Sequence, residues 1–429
     1  MSKSRDIIPI LETRGKYFCP AKWTELYLYL NHGTSNSCHH PIPHKIPLEG
    51  LKENPSQLHN TPHKMEVQKQ MLTGEKPSEC HMCWHIEELN DDIVSDRIFK
   101  SRSFVDKIPS LQVDKNHVPD LIEVIFDNSC NLMCSYCDSG SSSQWQTRVK
   151  EKPIILQTEK RHLYAKQSID TEFDSFPYYD AWMSWWPEIK DKIKILRISG
   201  GEPLTSKNCI QFLELINEPL DVKGAINSNF SFNKKYVDRL INVSKNFSEF
   251  DVAVSLDATG PMAEYARQNL NYQTLLSNID HYAQNSADNC FIHLQSTSSI
   301  FNIWGLTKKY DLMIDLRQRY GSKITHSYNT IVRFPQFQSI SILPESIRHT
   351  LADDISSWLD KNQLHLFERD RELLKKIILY LRSEPVLFDT IHHEDLKQDL
   401  IKFIKHYDET SNHKFKDIYP KEFINWLDL

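Results

Sequence analysis

From residue 121 to about residue 335, short apolar runs alternate with longer amphipathic stretches, and this alternation constrains the fold more than any other feature of the chain. Six runs have the length and composition of strands: LIEVIF, KILRIS, GAINSNF, FDVAVSLDA, CFIHLQST and ITHSYNTIV. Strands separated by helices favour parallel pairing, because each crossover helix returns the chain to the same edge of the sheet. Six βα units are too few to close an eight-stranded barrel. The pattern therefore predicts an α/β fold with an open, partial (β/α)6 TIM-like barrel.

Three cysteines follow the first predicted strand directly, in the stretch CNLMCSYCDSG. Cys130, Cys134 and Cys137 therefore lie on the first βα loop, at the edge where parallel α/β folds carry their chemistry. A structural zinc site needs four ligands, and a [4Fe-4S] cluster held only by protein needs four thiolates. Three thiolates leave one iron of such a cluster open to another ligand.

The second predicted strand ends in Ser199-Gly200-Gly201-Glu202-Pro203. The CxxxCxxC loop after one strand and a GGEP motif at the end of the next resemble the radical S-adenosylmethionine (radical SAM) superfamily, over about residues 118 to 335. The resemblance implies that the open iron binds SAM and that reductive cleavage of SAM gives a 5′-deoxyadenosyl radical. It also implies an oxygen-sensitive oxidoreductase that takes electrons from a donor such as flavodoxin or ferredoxin.

By this resemblance, nine residues are predicted to bind SAM: Tyr136, Gly200, Gly201, Glu202, Pro203, Asn227, Ser255, Asp257 and Arg267. Tyr136 has the position that contacts the adenine, and the carboxylate of Glu202 is an acceptor for the SAM ammonium. The two glycines let the backbone approach a ligand closely. The residues at later strand ends resemble the ribose contacts of the family, and Arg267 resembles the arginine that pairs with the SAM carboxylate. Strand-end caps or surface ion pairs are the alternative interpretation of these later residues. No catalytic hydrogen donor is singled out.

Four further cysteines precede the predicted barrel: Cys19, Cys38, Cys80 and Cys83, the last two as a CxxC pair in ECHMCW. Four thiolates satisfy a closed [4Fe-4S] cluster or an all-cysteine zinc site. Residues 19 to 90 are rich in proline and polar residues, which predicts loops around a thin core that such a centre would stabilise. The stretch resembles the amino-terminal twitch domain of some radical SAM proteins, and this resemblance implies an auxiliary [4Fe-4S] cluster. Zinc and unligated thiols stay open.

Histidines near these four cysteines depart from that pattern. They are His39, His40 and His44 after Cys38, and His81 and His85 around the CxxC pair. Imidazole binds zinc and also replaces cysteine in some iron-sulfur centres. One of these histidines is therefore a possible ligand in place of a cysteine.

Three domains are predicted: a twitch-like auxiliary iron-sulfur domain over residues 1–115, the radical SAM barrel over 116–340 and a helical C-terminal extension over 341–429. The last rests on amphipathic stretches such as ESIRHTLADDISSWLDKN and HEDLKQDLIKFIKHYDE. The two cysteines outside both groups, Cys209 and Cys290, are predicted to be small core residues.

Composition narrows the class of protein. The net charge of −6 and the lack of a lysine and arginine run disfavour nucleic acid as a partner. No signal-peptide pattern and no long apolar stretch occurs, so we expect a cytoplasmic protein without a membrane partner. In a reducing compartment, nine cysteines indicate metal ligands or core residues rather than disulfides.

Several functions agree with these patterns. The main hypothesis is a radical SAM enzyme that abstracts hydrogen from a peptide, as in the maturation of ribosomally made peptides. Alternatives within the enzyme class are dehydrogenation or epimerisation of a sugar or aminocyclitol, and tRNA modification. A zinc-stabilised, non-enzymatic interaction protein is the alternative of another class. The sequence motifs explain SAM cleavage and do not identify the substrate.

Overall fold

A computed structural model describes residues 6–89, 94–159, 164, 174–384 and 392–429. The fold is α/β, with a large and mostly parallel sheet accompanied by helices. Within the described ranges, no helix has both the length and the apolar character needed to cross a membrane.

The strands are β1 Glu25–Tyr29, β2 Thr34–Asn36, β3 His44–Lys45, β4 Leu121–Ile125, β5 Met133–Cys134, β6 Ile195–Ser199, β7 Leu220–Ser228, β8 Phe247–Ser255, β9 Arg267–Gln268, β10 Cys290–Ser298 and β11 Tyr328–Ile331. The helices are α1 Ile8–Glu12, α2 Ala21–Thr24, α3 Pro62–Leu72, α4 His81–Leu89, α5 Asp96–Ser101, α6 Ser143–Glu151, α7 Phe176–Ile189, α8 Lys207–Leu213, α9 Lys234–Ser244, α10 Gly260–Ala266, α11 Tyr272–Asn285, α12 Leu306–Tyr320, α13 Glu345–Asn362, α14 Glu368–Arg382, α15 His393–Asp408, α16 Phe415–Ile418 and α17 Lys421–Trp426.

The chain divides into two compact units. The first unit contains the described residues of 1–127, 172–199 and 218–224. Its strands follow the order β3, β2, β1, β4 and β6, and β7 begins beside them. β2 is antiparallel to β1 and β3, whereas β1, β4 and β6 are parallel. The antiparallel strands are short. Of the parallel strands, β4 and β6 belong to the predicted βα pattern, whereas β1 was not predicted.

The sequence of β4 alternates between fully buried and half-buried side chains, as expected of a strand in a sheet. In LIEVI, the side chains of Ile122 and Val124 are fully buried on one face. Leu121, Glu123 and Ile125 alternate with them and are half-buried on the other face. The residue after β4 is Phe126, and the three-cysteine loop begins shortly after it.

The first unit has a substantial apolar core, in contrast to the thin core that its sequence predicts. Trp23, Met71, Ile98 and Ile108 are each fully buried in one cluster that also contains Cys80 and Cys83. Burying such a side chain contributes roughly 1.5–3 kcal/mol of hydrophobic free energy. The core residues are far apart in the chain, so no local periodicity reveals them.

The second unit contains the described residues of 128–171, 200–217 and 225–429. β7 continues into it, followed by β8, β10 and β11, and the pairs of β10 with β8 and with β11 are parallel. In register, Gln295 lies opposite both Ser255 and Tyr328, so polar residues meet at the carboxyl ends of these strands. All six predicted strands are present, and the predicted C-terminal helices are α13 to α15.

Candidate functional site

The three-cysteine loop follows β4 and lies in the second unit. A short antiparallel pair, β5 with β9, sets Cys134 opposite Arg267. Cys134 is buried, whereas Cys130 and Cys137 are half-buried. Burial raises the pKa of all three thiols, that of Cys130 to about 12. Ionised thiols at this loop therefore need a compensating positive charge, which iron or another metal supplies.

Hydrogen bonds fix the backbone of the loop. The Ser143 hydroxyl accepts from the Cys130 amide and donates to the Cys130 carbonyl, both at 3.1 Å. The amide of Leu132 points at the Cys130 sulfur, 3.4 Å away. Asp138 accepts from the amides of Gly140 and Ser141 at 2.8 and 3.0 Å. Each of these bonds is local, which explains how a short segment forms a defined loop.

The GGEP motif lies against the start of this loop. The Glu202 amide donates to the Ser129 carbonyl over 2.6 Å, and a Cβ on Gly201 would collide with that same carbonyl oxygen. Gly200 has φ of 131°, a conformation that favours glycine. Pro203 starts a tight turn in which the Leu204 amide donates to the Glu202 carboxylate. The motif therefore needs glycine because of a close backbone contact.

The Glu202 carboxylate is buried and accepts three hydrogen bonds from the protein. Its donors are the amides of Leu204 and Asn229, at 3.1 and 2.6 Å, and the Ser228 hydroxyl at 2.9 Å. Burial raises the pKa of Glu202 to about 7, although these donors oppose the shift. Asn229 in turn donates to Asn131 on the cysteine loop over 2.9 Å. Glu202 thus holds the end of β7 to the loop, a role that the sequence did not indicate.

A buried polar network adjoins the thiol of Cys134. Arg267 donates to both carboxylate oxygens of Asp257, at 2.8 and 3.2 Å, and to the Tyr136 hydroxyl at 2.5 Å. Tyr136 donates to Asp257 over 2.8 Å. The remaining Arg267 nitrogen lies 3.5 Å from the Cys134 sulfur. Burial disfavours the guanidinium charge, but Asp257, Tyr136 and Cys134 together outweigh it and raise the pKa of Arg267. Three predicted SAM-binding residues therefore form one network, in which Arg267 contacts the thiol of Cys134.

The last two predicted SAM contacts lie elsewhere on the strands. Asn227 near the end of β7 donates to Gln295 over 3.3 Å, and Ser255 ends β8 opposite Gln295. Both residues are half-buried. Sequence patterns missed Ser228, Asn229 and Asn131, although Asn227-Ser228-Asn229 is the strand end that the family resemblance points to.

A second group of cysteines lies in the first unit, where Cys19, Cys38, Cys80 and Cys83 line one recess. Cys19 precedes α2, Cys38 follows β2, and the other two are at the start of α4. The thiols are close enough that an ionised Cys80, Cys38 or Cys83 opposes ionisation of Cys19. Burial is the largest cause of the raised pKa values, that of Cys80 reaching about 12.

Cations surround this four-cysteine recess. Lys22, Arg97 and Lys100 line it, and each lowers the pKa of at least one of the thiols. Arg97 is buried between a bidentate pair with Glu87 and the Phe18 carbonyl. Positive charges beside four thiols fit an anionic metal centre better than they fit four neutral thiols.

The nearby histidines are not equivalent. His40 lines the recess and lies 2.9 Å from Asp96. His44 instead bonds to the Thr61 hydroxyl at 2.7 Å, and His81 and His85 are exposed on α4. His39 is exposed and packs edge-on to Tyr27, with 4.3 Å between ring centroids. Among the five predicted alternatives, His40 is the one that faces the four cysteines.

Neither cysteine group forms a compact single-ion site in this structure. Across the described ranges, no three side chains of His, Cys, Asp and Glu converge in the way that one metal ion requires. Four thiolates on one zinc ion converge to about 2.3 Å from a single atom, whereas thiolates on a cluster bind separate irons. The donor chemistry of both groups fits iron-sulfur clusters.

Comparisons with known proteins give partial similarities, and no family model matches the chain. A stretch of 147 residues is 26% identical to the GTP 3′,8-cyclase of Campylobacter lari, covering 32% of this chain and 38% of that protein. The chain thus spans well under half the length of this curated relative.

Two crystal structures of Streptococcus suis SuiB, one bound to S-adenosylmethionine, match with a TM-score of 0.37 at 13% and 12% identity. The two matches cover 79% and 80% of this chain, and each covers 69% of the SuiB chain. The partial sequence match supports the resemblance to the radical SAM superfamily.

Proposed function

We propose that this chain is a radical SAM enzyme whose three-cysteine loop holds a [4Fe-4S] cluster with one iron open to SAM. The observation that carries the proposal is a buried network beside the three-cysteine loop, in which Arg267 bonds to Tyr136 and Asp257 and lies 3.5 Å from the Cys134 sulfur. When bound, such a cluster passes one electron to SAM, which breaks into methionine and a 5′-deoxyadenosyl radical that removes hydrogen from a substrate carbon.

The chain's own residues would bind and orient this cofactor. Cys130, Cys134 and Cys137 are the iron ligands. Arg267 supplies a buried positive charge next to them, suited to the carboxylate of SAM as well as to thiolates. The ring of half-buried Tyr136 is suited to an adenine. The GGEP turn packs against the start of the loop, where Gly201 leaves room for the Ser129 carbonyl.

We further propose that the four-cysteine recess holds an auxiliary [4Fe-4S] cluster. Four thiols at one recess satisfy its ligand count, and Lys22, Arg97 and Lys100 offset its negative charge. After hydrogen abstraction, the substrate radical needs an acceptor for one electron if it is to leave as an oxidised product. The auxiliary cluster would be that acceptor, and it would return the electron to a carrier such as flavodoxin or ferredoxin, which would also supply the electron for SAM cleavage.

By analogy with proteins that carry both kinds of centre, we propose a peptide as the substrate. The peptide would lose one hydrogen atom to the 5′-deoxyadenosyl radical, which becomes 5′-deoxyadenosine, then one proton to solvent and one electron to the auxiliary cluster. After turnover, peptide fragments that are two mass units lighter, through the loss of two hydrogens, would support a peptide as the substrate. Oxidation of a sugar or a tRNA nucleoside in its place would contradict it.

The deciding experiment measures iron, acid-labile sulfide and zinc per chain after anaerobic purification and reconstitution. 5′-Deoxyadenosine is followed in the same sample after dithionite and SAM are added. About eight irons per chain with deoxyadenosine are expected for two clusters. About four irons and one zinc with the same product would make the amino-terminal site zinc. Absence of both iron and deoxyadenosine would overturn the proposed function.

A further inference from the structure

Three consecutive carbonyls of the cysteine loop are held by side chains from distant segments. Those of Met133, Cys134 and Ser135 each accept a hydrogen bond. Tyr407 Oη donates to the Met133 carbonyl over 2.6 Å, and Trp145 Nε1 donates to the Cys134 carbonyl over 2.8 Å. The Ser135 carbonyl accepts from Tyr164 Oη at 3.1 Å and from Gln338 Nε2 at 2.7 Å. None of these donors was indicated by the sequence.

One edge of the same segment pairs with β9. The Ser135 amide donates to the Ala266 carbonyl over 2.9 Å, and Cys134 lies in register with Arg267. Tyr407 is also tied to β9, because its hydroxyl accepts from the Gln268 amide at 3.3 Å and its carbonyl accepts from the Gln268 side chain at 2.6 Å. The backbone around Cys134 is thus bonded both to β9 and to side chains from distant segments.

The three aromatic donors form one buried group, which we call the aromatic bracket: Trp145, Tyr164 and Tyr407. Each is at most 1% exposed. The Trp145 ring lies 4.8 Å from that of Tyr164 and stacks on that of Tyr407 at 6.1 Å. Buried hydroxyl and indole groups require hydrogen-bond partners, and here those partners are the carbonyls of the cysteine loop.

Resting on the proposed function, we propose that Tyr407 is a positioning residue for Cys134 and that the aromatic bracket makes helix α15 part of the three-cysteine centre. Groups that orient a metal ligand, and the apolar shell around it, set the affinity and reduction potential of an iron-sulfur cluster. Tyr407 acts through the Met133 carbonyl, one residue before the thiolate. Its hydroxyl, rather than its ring alone, therefore carries the effect.

The test replaces single hydroxyl groups and keeps the rings. Tyr407→Phe removes the bond to Met133. Tyr419→Phe is the matched control, because Tyr419 is also buried, donates to the Phe301 carbonyl over 2.6 Å and packs on Tyr265 as Tyr407 does. Both variants lose a buried hydrogen bond to a carbonyl, and Tyr407→Phe also loses the bond that its hydroxyl accepts from the Gln268 amide. Only the Met133 carbonyl lies on the cysteine loop.

Two readouts are measured on the full iron-loaded chain and on its metal-free form. Amide hydrogen exchange over residues 131–137 is expected to be about tenfold faster in Tyr407→Phe, with no change there in Tyr419→Phe. The midpoint potential of the three-cysteine cluster is expected to shift in Tyr407→Phe, while that of the auxiliary centre stays constant. If loop exchange and midpoint potential are equal in the two variants of an iron-loaded protein, the inference about Tyr407 is overturned and the proposed function is not.

The two proposals fail in different ways. A wild-type chain without iron at the three-cysteine loop would overturn the proposed function and this inference together.

If Tyr407→Phe does not fold, Trp145→Phe decides, because it removes the bond to the Cys134 carbonyl. Its control is Trp304→Phe, since the Trp304 indole donates to the Ile300 carbonyl over 3.1 Å, away from the loop. Faster loop exchange in Trp145→Phe alone supports the bracket, and identical exchange in both variants contradicts it.

Discussion

The two cysteine centres differ in how far apart their ligands lie in the chain. The ligands of the three-cysteine loop fall within residues 130–137 and are oriented by one strand end and one local turn. Those of the four-cysteine recess come from three segments, before α2, after β2 and at the start of α4. All cysteines of the first centre lie on one short loop, which distant side chains also hold, whereas those of the second come together only when the core of the first unit has formed.

They also differ in their charged neighbours. Three cations line the four-cysteine recess, whereas one cation in the described part of the chain, Arg267, contacts a sulfur of the loop and is itself paired with Asp257. A recess with four ligands and several fixed cations suits a closed cluster that exchanges electrons. A loop with three ligands and a shared arginine suits a cluster that binds a carboxylate-bearing cofactor. The predictions that follow separate these two roles.

The largest effect is expected for Cys134→Ala. The variant loses the central ligand of the loop, so iron should fall from about eight to about four per chain and deoxyadenosine should disappear. Cys209→Ala is the matched control, because Cys209 is buried on α8 and belongs to neither centre. Metal analysis and chromatography of deoxyadenosine measure both quantities. Deoxyadenosine formation by Cys134→Ala would contradict the assignment of the loop.

Cys83→Ala should give the opposite pattern. The auxiliary cluster should be lost while deoxyadenosine formation stays within about twofold of wild type, because the three-cysteine loop keeps its ligands. Substrate product should nevertheless be absent, since the radical intermediate lacks its electron acceptor. Comparing deoxyadenosine with product in one reaction measures this uncoupling. Full product formation would reduce the four-cysteine centre to a structural role.

Arg267→Lys tests the network beside Cys134. Lysine keeps the positive charge but cannot bond to Asp257 and Tyr136 as a planar fork, so deoxyadenosine formation should fall by about 10–100-fold with iron content unchanged. Arg317→Lys is the control, because Arg317 also forms a buried pair, 2.8 Å from Asp370. Both variants should lose about 1–3 kcal/mol of stability. Equal activity in both would remove Arg267 from the candidate site.

Local patterns predicted much of this fold and the identity of the thiol ligands. The strands β4, β6, β7, β8, β10 and β11 were recognisable because each is an apolar run bounded by helical sequence. The strand β1 was missed, since ELYLY is short and its partner β4 lies far along the chain. Its pairing arises from tertiary contacts that no local pattern contains.

The candidate site shows the same difference between features set by local sequence and features set by tertiary contacts. Spacing predicted the three-cysteine loop, which depends on local geometry, whereas Gly201, predicted to let the backbone approach a ligand, lies against the Ser129 carbonyl. The partners of Glu202 and the bonds from Trp145 and Tyr407 to the loop depend on how segments far apart in the chain pack together. Polar groups that satisfy one another in a buried network cannot be identified one at a time from sequence, because each role depends on its partner.

The smallest effect concerns pH and compares one histidine from each unit. Burial lowers the pKa of His406, next to Tyr407 on α15, to about 4, with Arg148 and Lys152 adding to the shift and Glu409 opposing it. Burial lowers the pKa of His44 in the first unit to about 3, with His63 and Lys64 adding to it. Both histidines are therefore neutral in the folded protein at pH 5, where unfolded histidine is mostly charged.

The sign of the pH effect follows from these pKa values. Each folded pKa lies below the unfolded value of 6.5, so the stabilisation is present above pH 6.5 and is lost as the pH falls toward the folded pKa. Between pH 7 and pH 5, each histidine should cost about 2 kcal/mol of local stability. His406→Asn should abolish the acid-induced rise in amide exchange of α15 and leave that around His44 unchanged. An equal acid response of α15 in wild type and His406→Asn would show that other groups set its pH dependence, and the difference between the two units would then lie in those groups.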